Sequence, residues 1–214
     1  MTRTEIGPED WNRQHLFESY MGTDFPYINI GCDLDITELY EYKKEKGISL
    51  YFSLIYLATK AANSIENFHY RFQDGKPFRI DENVAFATHL QKDNDIFVMV
   101  ECDAYDDICS FAKKNREKAE IPAKDSGLAA MKGRMDILNF TCIPWIHYNH
   151  FVRTIAHDGL DCNPKLSMGK YEKKDGRVLI PFSVQVHHGL MDGLHVGRFF
   201  ETLEEALAEA DFSS

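Results

Sequence analysis

An α/β fold, with a mixed β-sheet covered by helices, is predicted by the sequence on three observations. Strand-like alternation and helical periodicity follow one another unevenly along the 214 residues. Two Asp-Gly pairs, Asp74-Gly75 and Asp175-Gly176, each lie between strand-like runs and read as tight hairpin turns, so some neighbouring strands are antiparallel and the sheet is not purely parallel. A 44% apolar content is enough to bury a sizeable core, and no repeat or low-complexity linker divides the chain, so residues 1–214 are expected to form a single domain.

The elements follow in order. Gly7-Pro8-Glu9-Asp10, then Trp11, Phe17 and Tyr20, predict a short helix, because proline and acidic side chains suit a first turn. Ile28, Ile30, Cys32 and Leu34 alternate as in a strand with one buried face. Asp35 with Glu38 has the form of a capping box and opens a helix that ends near Gly47. A more apolar helix is predicted over 50–65, followed by the hairpin YRFQ-DG-KPFRI. VAFATHL and IFVMVEC read as strands separated by polar QKDND, and the charged stretch 105–120 as a helix. Residues 121–135, with Pro122 and Gly127, read as irregular, and DILNFTCIPW as a strand. KLSMGKYEKKDGRVLIPFSVQVHH gives two strands around Asp175-Gly176. A final helix over 193–210 carries Val196, Phe199, Leu203, Leu207 and Ala210 at helical spacing.

Composition excludes some function classes. A formal charge of −10 repels polyanions, so neither nucleic acid nor an anionic membrane is expected as a partner. Five cysteines without a C-x-x-C pair suggest neither a disulfide framework nor a thiolate metal site, and fit a reducing cytoplasm. MTRTEIGPEDW lacks an apolar signal segment, and no stretch approaches the ~20 apolar residues of a membrane-spanning helix, so a soluble, unprocessed, cytoplasmic protein is expected.

The chemistry concentrates in QVHHGLMDGLHVGR, residues 185–198. Continued strand alternation would put His188 in phase with Ile180, Phe182, Val184 and Val186, where a neutral imidazole can accept a proton. Asp192 falls where the chain turns into the last helix and can cap it or pair with an arginine. By themselves, adjacent histidines at a strand end are as often a satisfied core residue beside a solvent-facing one.

The pattern extends further. HH-x-x-x-DG, together with MGKY at 168–171, VLIP, SVQVHH, DGLHVGR, Trp11-x-Arg13 and Pro144-Trp145, resembles chloramphenicol acetyltransferases over most of the chain. The first motif is shared with the catalytic domains of dihydrolipoyl acyltransferases. The resemblance implies a two-layer α/β sandwich and a homotrimer with active sites between subunits. It also implies acetyl-CoA as co-substrate, without a metal, and a small-molecule hydroxyl acceptor, chloramphenicol or a related compound.

It further implies that His188 is the general base that removes the proton from the acceptor hydroxyl as that hydroxyl attacks the acetyl-CoA thioester, without an acyl-enzyme, and that its other ring nitrogen is fixed by a backbone carbonyl. His187 would be structural, and Asp192 would pair with Arg13. Thr141 stands at the serine of the family's S-x-x-P-W motif, where a hydroxyl donates to the oxyanion; threonine keeps the donor and adds a rotamer-restricting methyl. Tyr20 matches an acceptor-pocket aromatic, and Ser167 a hydroxyl near bound water. Arg153 and Lys165 depart from the family, falling where apolar residues line the acceptor pocket. Charges there are costly unless they turn away or find partners, so a more polar or anionic acceptor is the alternative.

Other features carry less. His147-x-x-His150 is expected to be polar positions on a strand edge rather than a metal site, YKKEK at 42–46 a solvated helix face, and His195 is near the site in sequence only. A thiol-acylating enzyme of the dihydrolipoyl type would share the base, but no Ala-Pro-rich linker accompanies it here. A noncatalytic binder on the same trimer would not need His188, Asp192 and Arg13 together.

Overall fold

Alternating apolar side chains build the central sheet of the computed structural model, which describes residues 2–92, 95–123, 125–155 and 160–208. The first half of the chain runs β1 (Arg3–Glu5), α1 (Gln14–Met21), β2 (Tyr27–Asp35), α2 (Thr37–Lys46), α3 (Leu50–Asn63), β3 (Tyr70–Gln73), β4 (Lys76–Ile80) and β5 (Val84–Leu90). The second runs β6 (Phe97–Glu101), α4 (Ile108–Ala119), β7 (Ile137–Cys142), β8 (Lys165–Met168), β9 (Glu172–Lys174), β10 (Arg177–His187) and α5 (Gly193–Ala208).

The main sheet has the order β2-β10-β8-β7-β5-β6, with β9 paired to β10. β7 is parallel to β5 and β8, whereas β10 is antiparallel to β2, β8 and β9, and β5 to β6. The sheet is therefore mixed, as expected. One face is apolar: Phe140, Leu166, Phe182 and Val184 pack with Phe52 and Leu54 of α3 and Phe199 and Leu203 of α5, all essentially inaccessible. Each such side chain contributes about 1.5–3 kcal/mol by leaving water. The opposite face carries Asn139 and Thr141 on β7, Lys165 and Ser167 on β8, and Ser183 and Gln185 on β10.

A smaller sheet, β1-β4-β3, holds the N-terminal helix. Trp11 and Phe17 meet Phe72 of β3 and Leu190, which follows β10, in a second buried cluster. This cluster fixes α1 against the end of β10.

Several boundaries differ from the sequence-based expectation. α1 starts at Gln14, not within the Pro8 segment, because residues 7–13 turn Trp11 into the cluster, where its ring lies 5.5 Å from Phe17 and 5.3 Å from Tyr70. The expected capping box is replaced by a tighter turn: α2 is capped at Ile36, which offers no side-chain bond, and Asp35 Oδ1 accepts the Thr37 N–H at 3.0 Å instead of the Glu38 N–H. Cys32 and Ile30 are exposed because β2 is the sheet's edge, so its inward face is only partly covered. The segment after β8 contains a further strand, β9. Asp74, Gly75, Asp175 and Gly176 all have positive φ, which is the conformation that tight hairpins require. The final helix is described to Ala208; Ala210 lies outside the described residues. Among the described residues no helix is long and apolar enough to cross a membrane.

Gly169 of the MGKY stretch shows why that position is a glycine. A Cβ there would lie 2.5 Å from Pro181 Cγ and 2.9 Å from both the Ile146 carbonyl oxygen and the Tyr148 ring. The loop after β7 crosses the end of β8 at this point, with the Lys170 N–H donating to Ile146 O at 2.8 Å. Gly169→Ala is expected to cost about 1–3 kcal/mol, read as a lower midpoint in thermal unfolding.

Candidate active site

β10 ends at His187, and residues 188–191 turn before α5 begins. The turn is tied by His188 N–H to Pro26 O at 2.8 Å and by Leu190 N–H to His187 O at 3.0 Å. His187 is buried, edge-on to Phe72 and Tyr27, and its Nδ1 accepts the Gly189 N–H at 3.2 Å. His188 is only half-buried. The in-phase placement of His188 with the apolar row is thus corrected: the strand stops one residue earlier, and His187 is the histidine the core takes. Tyr20 of α1 supplies the apolar contact instead, stacking on the His188 ring at 4.2 Å and 26°.

The His188 imidazole is fixed in one tautomer. Its Nδ1 lies 3.2 Å from Met191 O. A carbonyl can only accept, so in the neutral ring Nδ1 carries the proton and Nε2 presents a lone pair. That is the state a general base requires.

Arg13, at the start of α1, is buried and reaches across to this turn. Its Nη1 meets Asp192 Oδ2 at 2.8 Å and its Nη2 donates to His188 O at 3.2 Å. Asp192 Oδ1 also accepts the Leu194 N–H at 3.1 Å, capping α5. Burial alone would raise the Asp192 pKa, but the Arg13 bond and the His195 charge hold it below the usual carboxylate value. His195 was expected to be a neighbour in sequence only, and this is corrected. In the neutral ring its Nδ1 accepts the Asp192 N–H at 3.1 Å, and in the protonated ring it faces Oδ1 at 3.0 Å as a cation, while burial holds its pKa below the ordinary imidazole value. Its spacing of three residues on a helix start was the signal available for finding it.

Thr141 is elsewhere. Cross-strand register aligns Thr141 with Ser167 and Ser183, two strands apart and several residues short of the His end of β10. At ~3.3 Å per residue and ~4.8 Å per strand, Thr141 and His188 of one chain are on the order of 15–20 Å apart. Thr141 Oγ1 is 2.8 Å from Thr88 Oγ1 and lines a cavity of about 640 Å³ that Arg153, Lys165, Met99 and Trp145 also line. Ser167 sits buried in the cross-strand row, its carbonyl accepting from Tyr148 Oη at 2.7 Å.

Arg153 and Lys165 face the cavity and find partners there. Arg153 Nη1 and Nη2 donate to Asn139 O and Oδ1, both at 3.0 Å, and its backbone N–H to Gln185 Oε1 at 2.7 Å. Lys165 Nζ is paired with Asp161 Oδ2. Burial pushes both cations' pKa values down. Asn139 and Asp161 were missed by sequence reasoning. Their role depends on strand register and loop path, which leave no motif. His147 and His150 lie on the loop after β7 rather than on a strand, with His147 Nε2 3.2 Å from Asp33 Oδ1.

Comparison with known proteins bears on this arrangement. The sequence profile of the chloramphenicol acetyltransferase family matches residues 1–204. The chain belongs to the chloramphenicol acetyltransferase family. A chloramphenicol acetyltransferase of Clostridium perfringens is 31% identical over 94% of this chain and 92% of the relative. Chloramphenicol acetyltransferase 2 of Escherichia coli is 29% identical over 95% and 96%. A solved chloramphenicol acetyltransferase superposes with a TM-score of 0.87 at 22% identity, covering 96% of this chain and all of that one. The fold is also that of the dihydrolipoamide acetyltransferase of Azotobacter vinelandii, with a TM-score of 0.65 at 19% identity over 91% and 85%. Membership in the family makes the chain an acyltransferase.

Proposed function

We propose that this enzyme transfers the acetyl group of acetyl-CoA to a hydroxyl of a small acceptor, chloramphenicol or a related compound, with His188 as the base. The observation that carries the proposal is the Nδ1 to Met191 O bond, which leaves the Nε2 lone pair available. Nε2 removes the hydroxyl proton as the oxygen attacks the thioester carbonyl. The C–S bond then breaks, and the proton passes from His188 to the departing thiolate, giving an ester and a free thiol. Tyr20 holds the ring plane, and Arg13 and Asp192 hold the turn that carries it.

Negative charge develops on the thioester oxygen during the attack, and the Thr141 hydroxyl is the donor proposed to meet it. The separation within one chain requires that His188 and Thr141 come from different copies. A homotrimer with sites between subunits is the assembly proposed. Exposed Trp145 and Ile146, at 67% and 59%, support a surface that a neighbour covers.

Basic side chains gathered on α2 and β9 support a phosphorylated thioester as the donor. Lys43 and Lys44 of α2 and Lys173 of β9 place their amines 4.7–5.0 Å from the Tyr40 ring centre, and Tyr171 lies 5.2 Å from Tyr40. Clustered amines on an otherwise acidic chain can meet the phosphates of acetyl-CoA, and the exposed Tyr171 ring can meet its adenine.

Purified protein mixed with acetyl-CoA and chloramphenicol is expected to release free thiol, followed with a chromogenic disulfide, and to sediment as a trimer. No thiol release with any hydroxyl acceptor would remove the proposal. Thr141→Ala is expected to lower kcat by about 10²-fold, and Thr141→Ser to retain most of it. Equal turnover by wild type and Thr141→Ala would leave Thr141 as an ordinary strand residue.

A further inference from the structure

We propose that the cavity beside Thr141 selects a hydroxyl acceptor that also bears a carboxylate on an apolar body, with Arg153 gripping the carboxylate. This rests on the reading of that cavity as the acceptor site of the enzyme.

The cavity has two unlike sides. Leu90, Phe97, Met99, Leu128, Met131 and Trp145 make an apolar wall, and β7 and β8 supply a polar floor. On the floor the charges do not cancel locally. Asp161 is committed to Lys165. Asp95, the other carboxylate lining the cavity, is exposed on the turn before β6, where solvent screens it. Arg153 is left without a carboxylate partner among the described residues.

A guanidinium offers five N–H groups. Two of those on Arg153 go to Asn139, one to its backbone and one to its side chain, so the group is held in a fixed plane against β7. The remaining three have no acceptor among the described residues. A partly desolvated cation fixed in this way is a ready partner for a planar oxyanion, which it can meet with two parallel bonds. Lys165, one strand over on the same face and in register with Asn139, keeps the field positive on that side without competing for the ligand. An aromatic or aliphatic body would lie on Trp145 and Met99, and an acceptor of this size would keep its hydroxyl near Thr141.

The test uses Trp145 as the reporter, because it lines the cavity whereas Trp11 is buried in the N-terminal cluster. Quenching of tryptophan emission is titrated with 3-phenyllactate and with its neutral counterpart 3-phenylpropane-1,2-diol, on the full-length protein. The wild type is expected to bind the acid at least tenfold more tightly than the diol. Arg153→Met is expected to remove that preference with little change for the diol, and Arg153→Lys, which keeps the charge and loses the planar grip, to retain part of it. Equal affinity for acid and diol, no saturable binding of the acid, or a preference that survives Arg153→Met would each overturn the inference. Thiol release from acetyl-CoA with chloramphenicol, run in parallel, separates this from the enzymatic reading. Transfer to chloramphenicol with no acid preference keeps the acetyltransferase and removes the carboxylate, whereas acid binding with no transfer to either hydroxyl compound does the reverse.

Discussion

His188→Ala is expected to lower kcat for acetyl transfer by about 10²–10⁴-fold, the usual contribution of a positioned general base. The reason is that Nε2 is the atom the tautomer leaves free, Nδ1 being bound to Met191 O. Acetyl-CoA affinity, measured by equilibrium dialysis, should change little, since the lysine and tyrosine cluster proposed to hold it lies around Tyr40 on α2 and β9. The ring is half-buried and, among the described residues, stacked by Tyr20 alone, so the melting temperature should move by a few degrees at most. His187→Ala should behave in the opposite way. Its ring is buried against Phe72 and Tyr27, and removing it opens a void beneath the turn. Turnover that persists in His188→Ala and disappears only in a still-folded His187→Ala would reverse the assignment.

Asp192→Ala should have the largest effect on stability among the site residues, about 2–3 kcal/mol, or a fall in melting temperature of about 4–12 °C. The loss comes mainly from Arg13, a buried guanidinium left with a single bond to His188 O. Because that bond is to the base's own carbonyl, kcat should fall with stability. Arg13→Met placed on top of Asp192→Ala should recover part of the melting temperature and none of the activity. The pH dependence follows from the direction of the shift. Burial would raise the Asp192 pKa, but Arg13 and His195 together hold it below its unfolded value. A depressed carboxylate contributes its stability in full above the unfolded pKa of about 3.9 and loses it as pH falls through the folded value. Wild type should therefore lose its advantage over Asp192→Ala in melts taken below about pH 4. A constant difference down to the acid limit would count against the pairing.

Much of the site was legible because its parts are close in sequence. His188, Asp192 and the helix start fall within a few residues, where turn geometry and capping chemistry decide the structure locally, and both Asp-Gly hairpins formed for the same reason. Arg13 was legible through the motif alone, since nothing local links it to a residue far along the chain. The start of α1 was misread because Pro8 and the acidic residues after it favour a helical turn, whereas burying Trp11 outweighs that preference. His188 was misplaced by one strand residue because alternation cannot show where a strand stops.

The sequence by itself determined the mixed α/β class, the apolar face of the sheet and the turn chemistry, since each depends on periodicity or on contacts within a few residues. Only the tertiary structure decided the partners and the distances. Strand register set Thr141 far from His188 within one chain and laid Asn139 against Arg153. The path of the loop before β8 gave Lys165 its Asp161. Such pairings join residues that alternation constrains to a face of the sheet but not to a row, and the row is fixed only when the core packs.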